Sequence, residues 1–154
     1  MLKQRGRSGA HVTSSQRAAP RVLLVDDDKL AHRIVGNFLE ANCFVVHSAF
    51  DGREAMAALR SFAPDVLILD VVLPGENGYR ISRAIKSLAS NVPGLKTPKI
   101  VLATARSLAD DPEREKTMLS FSMADAMVYK PLDLEQLLAK LQDLTRERQS
   151  VGST

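Results

Sequence analysis

The 154-residue chain has a single cysteine, Cys43, no tryptophan, and only two tyrosines and five phenylalanines. One thiol cannot close an internal disulfide, so the fold must be held by its core, and a lone small residue at a strand start reads as packing. No apolar run reaches the roughly 18 to 20 residues that a bilayer-crossing helix needs. The longest candidate, Val66 to Leu73, is interrupted by Asp70. The opening stretch MLKQRGRSGAHVTSSQ lacks the continuous apolar segment of a secretory signal. These absences exclude a disulfide scaffold and a membrane span, and the expectation is a cytoplasmic protein.

Acid is missing from one place. Met1 to Pro20 carries Lys3, Arg5, Arg7 and Arg17 with no Asp or Glu, while the whole chain is only +3. The remainder is therefore close to neutral, with net charge −1. Four cations without an aromatic partner make a weak nucleic-acid footprint, which leaves a flexible leader or a segment that folds against a partner. What is present is ordinary: 45% hydrophobic and 25% charged residues, enough for one soluble domain with one core. The expected organisation is a basic tail at 1–20, a folded domain at 21–148 and a short tail at 149–154.

Beyond Pro20, short branched apolar runs alternate with longer amphipathic stretches, the pattern of a parallel α/β sheet. Strands are expected at Val22–Val25, Phe44–Ser48, Val66–Leu69, Ile100–Ala103 and Ala126–Tyr129. The first, third and fourth are near-continuous Val, Leu and Ile runs, so they should be central and covered on both faces. Leu30, Ile34, Val35, Phe38 and Leu39 form an apolar stripe on a first helix. Asp51 with Glu54, and Asp133 with Gln136, have capping-box spacing at the starts of the second and last helices. A third helix should cover Tyr79–Ala89, and a fourth should fall within Asp111–Ser122. Five βα repeats are too few for an eight-stranded barrel, so the expected fold is an open, doubly wound five-stranded parallel sheet with helices on both faces. The flavodoxin-like order 2-1-3-4-5 is one common solution for five strands and is the expectation.

In such sheets the working site lies beyond the carboxyl ends of the strands. The first strand ends in Asp26, Asp27 and Asp28, the third in Asp70, the fourth in Thr104, and the fifth in Lys130 before Pro131. Asp26, Asp27 and Asp70 packed together would repel unless a divalent cation neutralised them, and an oxygen-only site suits Mg²⁺. Thr104 and Lys130 would then supply donors to the equatorial oxygens of a transferring phosphoryl group, with Asp70 as the attacking carboxylate. Caps alone explain this set poorly, although Asp28 before Lys29 reads as one. His32 and His47 have no second ligand at helical spacing and read as surface or packing residues. Met118, Met123 and Met127 read as core or interface filler.

The segments VLLVDDD, DVLILDVVLPGENGY, VLATA and YKP resemble the receiver domains of two-component response regulators, over roughly Arg21 to Arg148. The resemblance implies that Asp26 and Asp27 are the acidic pair, with Asp27 a direct Mg²⁺ ligand, and that Asp70 is both phosphoacceptor and ligand. It also implies a backbone carbonyl ligand from Val72, a Thr104 that moves toward the phosphoryl group, a pairing Lys130, and a cis peptide before Pro131. The donor would be a sensor histidine kinase or a histidine phosphotransfer protein. The protein would be a phosphoacceptor switch of the single-domain chemotaxis type rather than an enzyme. Output would pass through protein contact at about residues 111–148, with no DNA-binding domain and with homodimer formation left open. Met127 stands where the family usually has Tyr or Phe, Asn77 replaces an Asp, and Asp110, Asp111 and Pro112 fall in a longer connection. Val72 and Arg106 occupy the two positions that tune phosphoryl loss in this family, and an apolar Val72 implies slow decay. Two alternative readings are a degenerate receiver acting as a phosphorylation-independent interaction module, and a haloacid-dehalogenase-like hydrolase. The latter wants a second Asp where Val72 stands.

Overall fold

The computed structural model describes residues 18–105 and 109–152, with 147–152 as helical backbone. Its five-stranded parallel sheet consists of β1 (Arg21–Val25), β2 (Val45–Ala49), β3 (Val66–Asp70), β6 (Lys99–Ala105) and β7 (Ala126–Lys130). Between β3 and β6 lies a small antiparallel ribbon of β4 (Val72–Leu73) and β5 (Glu76–Asn77). The helices are α1 (Lys29–Ala41), α2 (Gly52–Ser61), α3 (Gly78–Asn91), α4 (Pro112–Ser122) and α5 (Leu134–Gly152). The main sheet runs β2-β1-β3-β6-β7, which is the expected 2-1-3-4-5 order once the ribbon is set aside.

Side-chain alternation along the central strands divides the core in two. Val22 and Leu24 of β1 join Val66, Ile68 and Val101 beneath Val35 and Leu39 of α1 and Leu137 and Leu141 of α5. Leu23 and Val25 join Leu67, Leu69, Ile100 and Leu102 beneath Leu59 of α2 and Ile85 of α3. Because both faces are covered, β1 and β3 contain almost nothing but branched apolar residues until each ends in Asp. Each such side chain buried in full contributes roughly 2 kcal/mol of transfer free energy. That holds the strand ends rigid enough to carry a polar site.

The helix starts follow local chemistry. Asp28 accepts from Leu30 N at 2.9 Å and Asn77 from Tyr79 N at 2.9 Å. Asp51 and Asp111 accept from Glu54 N and Arg114 N, at 2.8 and 3.0 Å. Asp133 accepts from Gln136 N at 3.1 Å. Each acid or amide satisfies an amide that the first helical turn leaves free. The Asp51 box is closed one residue early: Glu54 accepts from Phe50 N rather than from the Asp51 amide.

Three expectations need correction. The apolar stripe of α1 is split: Val35 and Leu39 are buried, but Leu30 and Ile34 are 56% and 50% exposed. Cys43 is exposed rather than packed, in a turn with φ of 70° between α1 and β2. The two-residue strands of the ribbon are an addition to the expected elements; Pro74 and Gly75, with Gly75 at φ 69°, make the turn between them. Arg106 and residues 1–17 lie outside the described residues.

Candidate functional site

Strand register brings the polar residues together. Val25 pairs with Leu69, which sets Asp26 level with Asp70 at adjacent strand ends. Asp70 pairs with Ala103, so Thr104 stands one residue further along β6. Ala105 pairs with Lys130, two steps beyond that level, and the long Lys130 side chain reaches back. Its Nζ lies 2.8 Å from Asp70 Oδ2 and 3.5 Å from Asp26 Oδ2. The peptide bond between Lys130 and Pro131 is cis, as the resemblance implies.

The carboxylates converge. Asp26, Asp27 and Asp70 each offer an oxygen within 4.8 Å of the others. Three negative charges there face one ammonium, so a hard divalent cation with oxygen ligands fits this donor set. Asp26 and Asp70 are buried and Asp27 is exposed, which leaves one side open to solvent. Asp70 accepts from Val72 N through Oδ1 and from Lys130 through Oδ2. Thr104 is buried at the end of β6. The Val72 side chain is 73% exposed and carries no polar atom that could orient water at Asp70.

The loop after Asp70 is pinned by Gly78. Its amide donates to Val71 O at 2.8 Å, and a β-carbon there would lie 2.5 Å from Val71 Cα and 2.6 Å from Asp70 O. Only glycine lets α3 start this close to the end of β3. Glu76 on β5 ties the same loop to α2 by accepting from Gly52 N at 3.1 Å.

Burial is the main cause that raises the Asp26 pKa above its ordinary value; the amide of Asp28 and the charge of Lys130 oppose it, and Asp70 and Asp27 add to it. For Lys130, burial disfavours the charged form, but the bond to Asp70 and the attraction of both carboxylates outweigh it and leave the ammonium above its ordinary range. A carboxyl group whose native pKa is raised binds its proton more tightly when folded. It therefore costs stability as pH rises from the ordinary carboxylate value through the raised one, and the cost is complete at neutral pH. Asp26→Asn should consequently stabilise the metal-free protein at pH 7 by about 1 kcal/mol, a few degrees in melting temperature. The gain should shrink toward pH 4, and Mg²⁺ should stabilise the variant less than the unaltered chain. Chelator-treated thermal melts at both pH values check this, and a variant less stable at pH 7 would contradict it.

His32 and Ser48 belong to this site although the sequence pattern marks neither as a site residue: His32 lies on a helix, and Ser48 merely ends the expected second strand. His32 is buried in the first turn of α1, its Nε2 2.6 Å from Asp26 O and its Nδ1 2.8 Å from Ser48 Oγ. The one local sign is its place one turn after Asp28, where a helical side chain leans back toward the preceding turn. His47, by contrast, is exposed and stacks on Phe62 with centroids 5.1 Å apart. Met127 is buried in the core, Met118 packs against it, and Met123 is exposed.

The family described as the response regulator receiver domain matches residues 22–142. Response regulator MprA of Mycolicibacterium vanbaalenii is 34% identical over 126 residues, covering 82% of this chain and 50% of that protein. The chain thus spans about half the length of the curated relatives it matches. Among solved structures, chemotaxis protein CheY4 of Vibrio cholerae superimposes with a TM-score of 0.71 at 30% identity, covering 82% of this chain and 99% of that one. The beryllofluoride-activated DrrB receiver domain gives 0.68 at 28% identity, covering 83% and 98%. The strand-end acids, the lysine opposite them and these matches together place the chain in the response regulator receiver family of two-component signalling.

Proposed function

We propose that Asp70 accepts a phosphoryl group from the phosphohistidine of a sensor histidine kinase or a histidine phosphotransfer protein, and that the resulting acyl phosphate changes which proteins the domain binds. The observation that carries this reading is the convergence of Asp26, Asp27 and Lys130 on the Asp70 carboxylate at the carboxyl ends of the strands. Receiver domains typically bind Mg²⁺, and here Asp26, Asp27, Asp70 and the Val72 carbonyl would hold it, supplying charge neutralisation between carboxylate and phosphoryl group. An Asp70 oxygen attacks phosphorus, the P–N bond to the donor imidazole breaks, and its electron pair returns to the ring nitrogen. Lys130 and Thr104 then face the three phosphoryl oxygens as donors.

The surroundings favour a macromolecular donor. A cleft of about 330 Å³ opens beside Asp70, lined by Leu30, Ile34, Leu132 and Leu134 and closed at its polar end by Asp26, Asp70 and Lys130. An apolar surface contiguous with a reacting carboxylate suits a protein that must hold its phosphohistidine in line. For output, residues 111–148 remain the proposed partner surface, and exposed Phe121 and Met123 on that stretch supply apolar contact area.

Incubation with Mg²⁺ and a small acyl phosphate tests the reading. One base-labile phosphoryl group per chain is expected, and its loss should take minutes or longer because Val72 positions no water. Beryllofluoride, which activates the DrrB receiver, should bind in the same Mg²⁺-dependent way. No adduct with either reagent would instead identify a phosphorylation-independent interaction module, and rapid turnover to free phosphate would identify a hydrolase.

A further inference from the structure

Every backbone polar group of Asp26 is held. Its amide donates to Ala49 O at 3.1 Å, and its carbonyl oxygen lies 2.6 Å from His32 Nε2. A carbonyl can only accept, so Nε2 carries the proton; in the neutral ring Nδ1 then accepts from the Ser48 hydroxyl at 2.8 Å. The ring is further fixed against Phe50, with centroids 4.3 Å apart. His32 therefore spans from α1 to the end of β2 while gripping the first peptide beyond β1. That peptide joins Asp26 to Asp27, and its plane sets the direction in which the Asp27 side chain leaves the backbone. Asp27 is exposed, so no surrounding core fixes it from outside.

We infer that His32 is a positioning residue for the cation site: its Nε2–H, braced by Ser48, holds the Asp26–Asp27 peptide so that both acids are aimed before the metal arrives. The inference rests on the reading of Asp26, Asp27 and Asp70 as a Mg²⁺ site. A simple packing role predicts only loss of stability when His32 is replaced. A positioning role predicts loss of metal affinity that depends on the donor rather than on the volume of the side chain.

Calorimetric titration of Mg²⁺ into the metal-free full chain separates these, with thermal unfolding recorded for each variant. His32→Leu should weaken Mg²⁺ binding about ten- to a hundredfold, the usual effect of removing an outer hydrogen bond that orients a ligand. His32→Gln, whose terminal amide can donate to the same carbonyl, should stay within about threefold of the unaltered chain. Equal affinity in the Leu variant overturns the inference, and so does a Gln variant as weak as the Leu variant. Should His32→Leu not unfold cooperatively, Ser48→Ala decides, because that exposed position bears only the bracing hydroxyl. It should weaken binding about threefold, as loss of one ordinary hydrogen bond does, and an unchanged affinity overturns the inference. An unaltered chain that takes up no Mg²⁺ overturns the cation site itself, which is a different result from an unaltered chain that binds beside variants that bind equally.

Discussion

Asp70→Asn should accept no phosphoryl group, with labelled phosphate on the variant below about 0.1% of that on the unaltered chain, beyond the 10²- to 10³-fold loss of a single supporting donor. The amide keeps the shape of the side chain and its oxygen can still accept from Val72 N, a bond that Asp70 Oδ1 makes at 3.0 Å. It lacks the anionic oxygen that must form the new bond to phosphorus, and that deficiency is chemical rather than structural. Asp26 and Asp27 stand close by but do not substitute. Asp26 Oδ1 is committed to the Asp28 amide at 2.9 Å, and burial already biases its carboxyl toward the protonated form. The variant should remain folded, because the change removes one of three mutually repelling acids. Lys130 would keep Asp26 as partner, now 3.5 Å away. Transfer of label at an unaltered rate would show that the acceptor is another residue, and loss of cooperative unfolding would show that Asp70 carries structure as well as chemistry.

The parts of this protein that are legible in its sequence are those in which one residue type has one physical reason. Leu23 and Leu24, Ile68 and Leu69, and Val101 and Leu102 occupy strands covered on both faces, and a continuous branched run four or five residues long suits no solvent-facing strand. The site is legible for the same reason, since a sheet's strand ends are its natural place for Asp26, Asp70, Thr104 and Lys130. Leu30 and Ile34 depart from expectation because helical periodicity gives the spacing of an apolar stripe without saying how far round the helix the neighbouring layer reaches. Here the sheet and α5 cover Val35 and Leu39, and the remaining flank opens onto the cleft beside Asp70. His32 reads as an isolated residue because both its partners, a main-chain carbonyl and Ser48, come from long-range placement that no local spacing encodes. The ribbon at Val72–Asn77 leaves no trace in the pattern because strands of two residues carry no periodicity, so only the Pro-Gly turn signals it.

Lys130→Met should separate the two roles proposed for the same ammonium, because its expected effects on metal binding and on phosphoryl acceptance have opposite signs. In this structure Lys130 bonds to Asp70 at 2.8 Å and attracts Asp26, so it occupies part of the negative field that a cation would use. Removing that charge while keeping an unbranched stem should tighten Mg²⁺ binding several-fold in a calorimetric titration, as one half-buried, partly screened competitor is lost. The same change withdraws a donor from the phosphoryl oxygens, and the rate of acceptance from a small acyl phosphate should fall about 10²-fold. Stability gives a third sign. The Lys130 pKa is raised by its partners beyond the opposing effect of burial, so its contribution to folding is present below the ordinary lysine value and is lost only as pH rises through the raised one. At neutral pH that contribution is intact, though modest because the side chain is 39% exposed. The metal-free variant should therefore melt slightly lower than the unaltered chain, and added Mg²⁺ should recover the difference by taking over the neutralisation of Asp26 and Asp70. Tighter metal binding with slower acceptance is the pair of results that a merely structural lysine cannot produce. If both fall together, Lys130 acts by holding the two acids in place rather than by meeting the phosphoryl group.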